Sequence, residues 1–523
     1  MSRDQRDASK LDRDLTLAAD VAIVGTGAGG ATTAEILAQA GLKVVMIEEG
    51  AYRTAADFTL RETDAFSEMY YDGANRATQD GAIAILQGRT VGGSTTVNWT
   101  ATFRTPDEVL RHWAEAHGVK GLDPAALAPW FERTERRLNV APWAAAPNEN
   151  NDVLARGCAK LGYSHHVIPR NVEGCRNLGA CGLGCPVNAK RSMLVTAVPG
   201  ALDAGATLLT RCRAERIVLS GGKAVAVEAV ALDARGVRAT GRKLRVNARC
   251  IVAAGGGINT PGLLLRSQLP DPQARLGKRT FLHPVLVSVA DMPEPVDGWQ
   301  GAPQSIYSDQ FLWRDGVTGR VGYKVEAAPV YPMLFMSLAG RMGNAHLERS
   351  ASRYRNSQVL IGLLRDGFHE ESAGGKVVLR GDGSPVLDYS MSRYLWEGAF
   401  EAWQSMARIQ FAAGAREVLP LHSDASAYAS LAHAERAISA LPANAMGAAI
   451  FSAHVMGGCA MGGDARDSVV DSEGRHHQVE NLYVIDGSVF PTSLGVNPQM
   501  SIYGLAARNA TRLAAALGAR HTI

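Results

Sequence analysis

Three glycines spaced G-x-G-x-x-G stand at Gly25, Gly27 and Gly30, inside the stretch DVAIVGTGAGGATTAEILAQAGLKVVMIEEG at residues 20–50. The residues around them follow the order of a strand–turn–helix–strand unit. Residues 21–24 are an apolar run short enough for a buried parallel strand. Residues 31–40 carry a helical pattern closed by Gly41, and residues 43–47 read as a second strand ending at Glu48. Glycine at these positions permits the tight turn, close approach of the backbone to a pyrophosphate and close helix–strand packing; Ala28 and Gly29 complete the loop. The helix N-terminus favours the phosphate charge, and Glu48 is placed to hydrogen-bond ribose hydroxyls. With strand, helix, strand and acid in register, the unit reads as a dinucleotide site and not as a structural glycine turn.

The kind of dinucleotide is indicated elsewhere. Residues 87–98, QGRTVGGSTTVN, form a second glycine-rich loop containing Arg89, Gly92, Gly93, Ser94 and Asn98. A coenzyme released at each turnover has little use for such a loop. A flavin buried for life needs backbone donors around its pyrophosphate and ring. Near the other end, residues 482–485 read as a strand running into Asp486-Gly487-Ser488, and Asn497-Pro498 opens a helical pattern over 499–517. That arrangement suits the ribityl chain and pyrimidine edge of a flavin.

Five motifs in one order carry a resemblance over residues 18 to the C-terminus: GTGAGG with Glu48, GRTVGGSTTVNW at 88–99, GGGINTPGLLLRS at 255–267, HVMGGCAMG at 454–462 and NLYVIDGSVFPTSLGVNPQMSIYGLAARN at 481–509. On these the chain resembles the glucose–methanol–choline (GMC) family of FAD oxidoreductases. VNWTATFRTP at 97–106 and CGLGCPVNAK at 181–190 are most similar to the branch holding long-chain alcohol oxidases and related bacterial dehydrogenases. The H…VNP ending also resembles cholesterol oxidase. The resemblance implies an α/β chain (α+β overall): a Rossmann-like FAD-binding domain with a discontinuous substrate-binding domain built on an antiparallel sheet. It also implies non-covalent FAD, because members that tether the flavin place a histidine in the loop matching residues 94–99, where this chain has Thr96, Val97 and Asn98.

The expected organisation is a polar N-terminal arm at 1–17; an FAD-binding domain from 18–105, 192–290 and 446–523; and a cap and substrate domain from 106–191 and 291–445. At 523 residues two domains is the prior. A net charge of +3 with no basic block does not suggest nucleic acid. The charged start, MSRDQRDASKLDRD, lacks the apolar core of a secretory signal, and the chain reads as cytoplasmic, at most peripheral to a membrane. The apolar run at 330–339 is too short for a membrane span and is expected as a buried strand or pocket wall. Residues 206–253, with turn signals at Gly221-Gly222 and 234–236, read as hairpin strands.

Oxidising an alcohol by flavin requires removal of the hydroxyl proton while hydride leaves carbon for flavin N5. A histidine base suits the first task, and a side-chain amide can hold the hydroxyl without competing for the proton. The resemblance assigns these roles to His454 and to Asn497, whose counterpart is histidine in some members. Taken alone, Asn497 before Pro498 is an ordinary helix cap. The helix start at Pro498 is also placed to turn its positive end toward the flavin's N1–C2 edge. His476 and His477 sit in a polar turn and read as solvated, and His283-Pro284 as a strand end.

Of seven cysteines, Cys158, Cys212, Cys250 and Cys459 read as small buried residues. Cys175, Cys181 and Cys185 form C-x5-C-x3-C-P, which has two readings. One is three thiolate ligands of an iron–sulfur cluster, resembling GMC-type sugar dehydrogenases, with electrons passing to a cytochrome or quinone through a partner subunit. The other is structural thiols or a local disulfide, with dioxygen or a soluble acceptor reoxidising the flavin. A non-redox lyase of the same family and a protein that merely retains FAD are further alternatives.

Overall fold

The computed structural model describes residues 3–519, so the first two residues of the expected arm and the last four of the chain lie outside it. The fingerprint folds as its pattern requires. Strand Leu15–Val24 leads into helix Ala28–Gln39, which returns to strand Val44–Ile47, paired in parallel with the first through Val21–Val44 to Val24–Ile47. All four residues of the second strand are buried, as in a parallel sheet covered on both faces.

These strands lie in an eight-stranded sheet with Ala239–Ala253 as its longest member. One edge of that strand runs parallel to Leu15–Val24 along its length. Its other edge forks: its first half pairs antiparallel with Lys223–Leu232, its last residues pair parallel with Leu482–Val484. The hairpins expected over 206–253 are the strands Thr207–Thr210, Cys212–Ser220, Lys223–Leu232 and Ala239–Ala253.

A second eight-stranded sheet centres on Val285–Asp291, Ser357–Leu364 and Tyr323–Ala327, paired antiparallel. Side chains alternate between its faces. Leu286 and Gly362 face helix Arg393–Ala412, where a Cβ on Gly362 would lie 3.1 Å from Ala402 Cβ, and Trp403 Nε1 donates to Val287 O (2.9 Å). Val285, Val287, Val359, Ile361 and Leu363 face the other way, into a cavity.

Several expectations are corrected. Within the expected arm, Asp4–Asp7 is an edge strand that pairs in parallel with Thr207–Thr210, and Arg211 is ion-paired to Asp7. A charged strand of this kind suits a sheet edge. Val285–Asp291, which a boundary at 290 leaves with the FAD domain, is central to the antiparallel sheet, and Ile450–Ser452 joins the same sheet through Val285 and Phe451. The apolar run at 330–339 is mostly helix Pro332–Arg341, a pocket wall but not a strand; Pro332 at its first position favours that outcome. His476 is buried by the turn that packs it against Leu482, and burial pushes it down to about 4; His477 is half-buried beside Ser468 Oγ (2.9 Å). Among the described residues no helix is long and apolar enough to cross a membrane.

Candidate active site

Three glycine-rich segments build the cradle. Gly25 follows the first strand with φ of +100°, and a Cβ there would lie 2.3 Å from Ala254 O, so the turn admits only glycine. Gly29 meets the end of the Leu482–Val484 strand, where a Cβ would lie 1.9 Å from Ile485 O. Gly27 instead faces open space, beside the N-terminus of helix Ala28–Gln39, which carries no side-chain cap. Free N–H groups and an unobstructed backbone are what a phosphate needs.

Buried carboxylates brace these loops. Glu48 accepts from Thr26 N (3.0 Å), Thr26 Oγ1 (2.6 Å) and Gly50 N (2.8 Å), and Thr26 Oγ1 accepts from Gly92 N (3.0 Å), tying the second loop to the first. Asp486 accepts from Gly256 N (2.7 Å), Thr260 Oγ1 (2.6 Å) and Ser488 N (2.8 Å), tying the C-terminal strand to the GGGINT loop. Burial raises the pKa of both acids. Arg89 donates to Gly236 O (2.7 Å), and Asn98 Nδ2 donates to Gln499 Oε1 (2.8 Å).

A cavity of about 1150 Å³ runs from this cradle to the inner face of the antiparallel sheet. Its volume exceeds the roughly 300–1,000 Å³ of an ordinary small-ligand pocket. It is glycine-rich and polar at one end and apolar at the other, and these residues fit FAD with room for a substrate. Of the residues expected to touch the dinucleotide, all line the cavity except Gly30 and Gly92. Those two serve packing: a Cβ at Gly30 would lie 2.0 Å from Gly25 O, and one at Gly92 2.9 Å from Leu194 N.

His454 and Asn497 both line the cavity. Asn497 does not cap its helix: Pro498 occupies the cap of Gln499–Ala516, and the Asn497 amide oxygen instead accepts from Lys324 Nζ. His454 Nδ1 lies 3.0 Å from Nδ1 of His283, the rings crossing at 89°. Burial, with Lys324 nearby, pushes His454 down to about 3, and His283 also lies well below its usual value for the same reason. Both rings are therefore neutral near pH 7. Gly495 N donates to His283 Nε2 (3.0 Å), so the His283 proton sits on Nδ1 and is donated to His454 Nδ1. In this resting arrangement the His454 proton is on Nε2.

His283, Lys324 and Glu326 are site residues that sequence reasoning missed. A histidine inside the apolar run FLHPVLVSVA signalled a buried polar contact. Lys324 and Glu326 stand in YKVEA, an alternating segment whose pattern does not say that both charges are buried.

The cysteine loop does not form a metal cradle. All three cysteines are free thiols, and among the described residues no three His, Cys, Asp or Glu side chains are arranged to hold a metal ion. The residues do not fit a cluster or, as placed, a disulfide. The loop acts as a brace: Tyr70 Oη donates to Gly182 O (2.7 Å), Gly182 N donates to Tyr331 Oη (3.2 Å), and Tyr331 Oη donates to Gly179 O (2.6 Å). It thereby joins Tyr70, at the end of helix Glu62–Met69, to Tyr331 at the start of the helix Pro332–Arg341.

Family models described as GMC oxidoreductase match residues 66–285 and 371–506. A long-chain-alcohol oxidase of Arabidopsis thaliana is 31% identical over 95% of the chain and 67% of its own length. An uncharacterized GMC-type oxidoreductase of Sinorhizobium fredii is 31% identical over 95% of both. A formate oxidase of Aspergillus oryzae RIB40 superimposes with a TM-score of 0.70 at 15% identity, covering 96% of this chain and 100% of the other. A pyridoxine 4-oxidase does so with 0.65 at 18%, covering 94% and 98%.

Proposed function

Since the chain belongs to the GMC oxidoreductases, FAD enzymes acting on CH–OH donors, we propose that it oxidises a hydrophobic primary alcohol to the aldehyde, with dioxygen as the acceptor. The observation that carries this reading is that His454 and Asn497 meet in the same cavity as the dinucleotide cradle. When bound, FAD supplies the two-electron acceptor. The substrate end is walled by Val285, Val287, Val359, Ile361 and Leu363 and by Phe335 and Leu338 of the helix Pro332–Arg341, which suits an alkyl chain. Relatives named long-chain-alcohol oxidase support both the substrate class and the acceptor.

His454 takes the hydroxyl proton at Nε2 while Asn497 holds the oxygen. To accept there, the proton between the two rings must sit on His454 Nδ1, which puts a proton on His283 Nε2 and opens the Gly495 contact. Losing one buried hydrogen bond costs about 1–3 kcal/mol, so the accepting tautomer is a minority form reached within the catalytic barrier. Anaerobic mixing with straight-chain alcohols tests the reading. His454→Ala and Asn497→Ala are each expected to slow flavin reduction at least about a hundredfold with FAD retained. Near-normal rates in both would refute it, and flavin that no alcohol bleaches would favour a lyase.

A further inference from the structure

Behind Asn497 lies a buried ion pair that the cradle and His454 do not account for. Lys324 and Glu326 stand two residues apart on the strand Tyr323–Ala327, opposite Leu363 and Ile361, and therefore on the cavity face of the sheet. Their side chains are 1% and 0% exposed. Lys324 Nζ is 2.7 Å from Glu326 Oε1, lies 3.7 Å from the centre of the Phe103 ring, and donates to Asn497 Oδ1. Glu326 Oε2 accepts from Gln304 Nε2 (2.7 Å). Apolar residues of similar volume are often as stabilising as a buried ion pair, so stability alone does not explain this one.

An ammonium donates hydrogen bonds and accepts none. Asn497 must therefore turn Oδ1 toward Lys324, which leaves Nδ2 to point elsewhere. Among the described residues Nδ2 donates to no protein group, and Asn497 lines the cavity. We infer that Lys324 and Glu326 are positioning residues that fix Asn497 as a hydrogen-bond donor to the substrate's oxygen. The inference rests on Asn497 facing substrate, as proposed above. Glu326 keeps the lysine as an ammonium, which only donates; a neutral amine both donates and accepts, which leaves the amide free to turn over. An overturned amide presents Oδ1 to the hydroxyl and competes with His454 for its proton. With the amide held, His454 is left as the acceptor and Asn497 as the donor.

The test compares wild type, Asn497→Ala, the double variant Lys324→Met/Glu326→Gln and the triple variant combining them, all loaded with FAD. Removing both charges together avoids a lone buried ion; Lys324→Gln/Glu326→Gln replaces the double variant if methionine is not tolerated, since glutamine also leaves the amide free to turn. Two quantities are read: the limiting rate of anaerobic flavin reduction, and the affinity for acetate, an oxygen anion, from its perturbation of the oxidised flavin spectrum. The double variant is expected to lose about tenfold to a hundredfold in rate and at least about tenfold in acetate affinity, as for a displaced positioning group. The triple variant should match Asn497→Ala alone, because the ion pair acts only through that amide. Effects that multiply independently, or wild-type values in the double variant while Asn497→Ala is impaired, would overturn the inference alone. Wild-type values in Asn497→Ala, or no acetate binding to wild type, would remove the substrate-facing role and the inference with it.

Discussion

The hydrogen-bond chain Gly495 N–H, His283, His454 sets the direction in which the site can move a proton, and substitutions at 283 can reverse it. A buried hydrogen bond of about 1–3 kcal/mol puts the accepting tautomer of His454 at roughly 0.5–15% of the resting population. Glutamine at 283 keeps the wild-type polarity: Gly495 N–H demands an acceptor, so Oε1 faces it and Nε2 donates to His454. Glutamate accepts at both ends, which places a proton on His454 Nδ1 and frees Nε2. A carboxylate at this distance also raises a histidine pKa by roughly 1–3 units. His454, held at about 3 in wild type, would then titrate in an accessible range. The assay is the pH dependence of anaerobic flavin reduction at saturating alcohol. A protonated ring cannot accept, so activity falls as pH drops through the His454 pKa. Wild type and His283→Gln should be flat down to about pH 5, while His283→Glu should show an acid limb at about pH 4–6 and a plateau no lower than wild type above it. A wild-type limb near the ordinary histidine pKa, or a His283→Glu profile superimposable on wild type, would refute the reasoning.

Three further outcomes follow from the packing. Gly29→Val places a branched side chain where Ile485 O lies 1.9 Å from the Cβ position; overpacking of this kind costs about 1–3 kcal/mol or more, and purified protein should show a lower Tm and less bound FAD by absorbance. Asp366 is buried among Ser372, Tyr389 and Gly367 N, and burial raises it to about 6. An acid raised on folding binds its proton more tightly in the native state, so stability falls as pH rises from about 4 to about 6, by at most about 3 kcal/mol. Asp366→Asn should therefore flatten the Tm against pH curve in that window; an unchanged curve would exclude Asp366 as its source. Replacing Cys175, Cys181 and Cys185 together by serine should leave FAD content and alcohol oxidation near wild type, and iron with acid-labile sulfide at stoichiometric levels in the parent protein would contradict that.

The first glycine loop was legible because each of its constraints is local: a positive φ at Gly25, a helix starting at once, an acid ending the next strand. Sheet membership was less so. Val285–Asp291 reads as a buried strand in any sheet, and only its pairing with Ser357–Leu364 assigns it to the substrate side. The alternation in YKVEA was visible, but period-2 patterning says which residues share a face and not which face meets solvent. Nothing local to Lys324 and Glu326 therefore marks them as buried. His283 lies 171 residues from His454, a separation at which no local pattern reports contact. The C-x5-C-x3-C-P spacing places three thiols in one loop, but spacing alone does not set the geometry that a metal needs.

The forked strand Ala239–Ala253 bears on how the molecule comes into being. Its open edge receives Leu482–Val484, and Gly29 packs on Ile485 just beyond that strand. A nascent chain makes the fingerprint helix long before its partner strand; at roughly 5–20 residues per second the interval is about 20–90 seconds. Until then the Ile251–Ala253 edge is unpaired and Asp486 is not there to hold Gly256. Cofactor capture consequently waits for residues 482–486, and a chain cut short before residue 482 would carry the whole fingerprint yet be unable to retain its flavin.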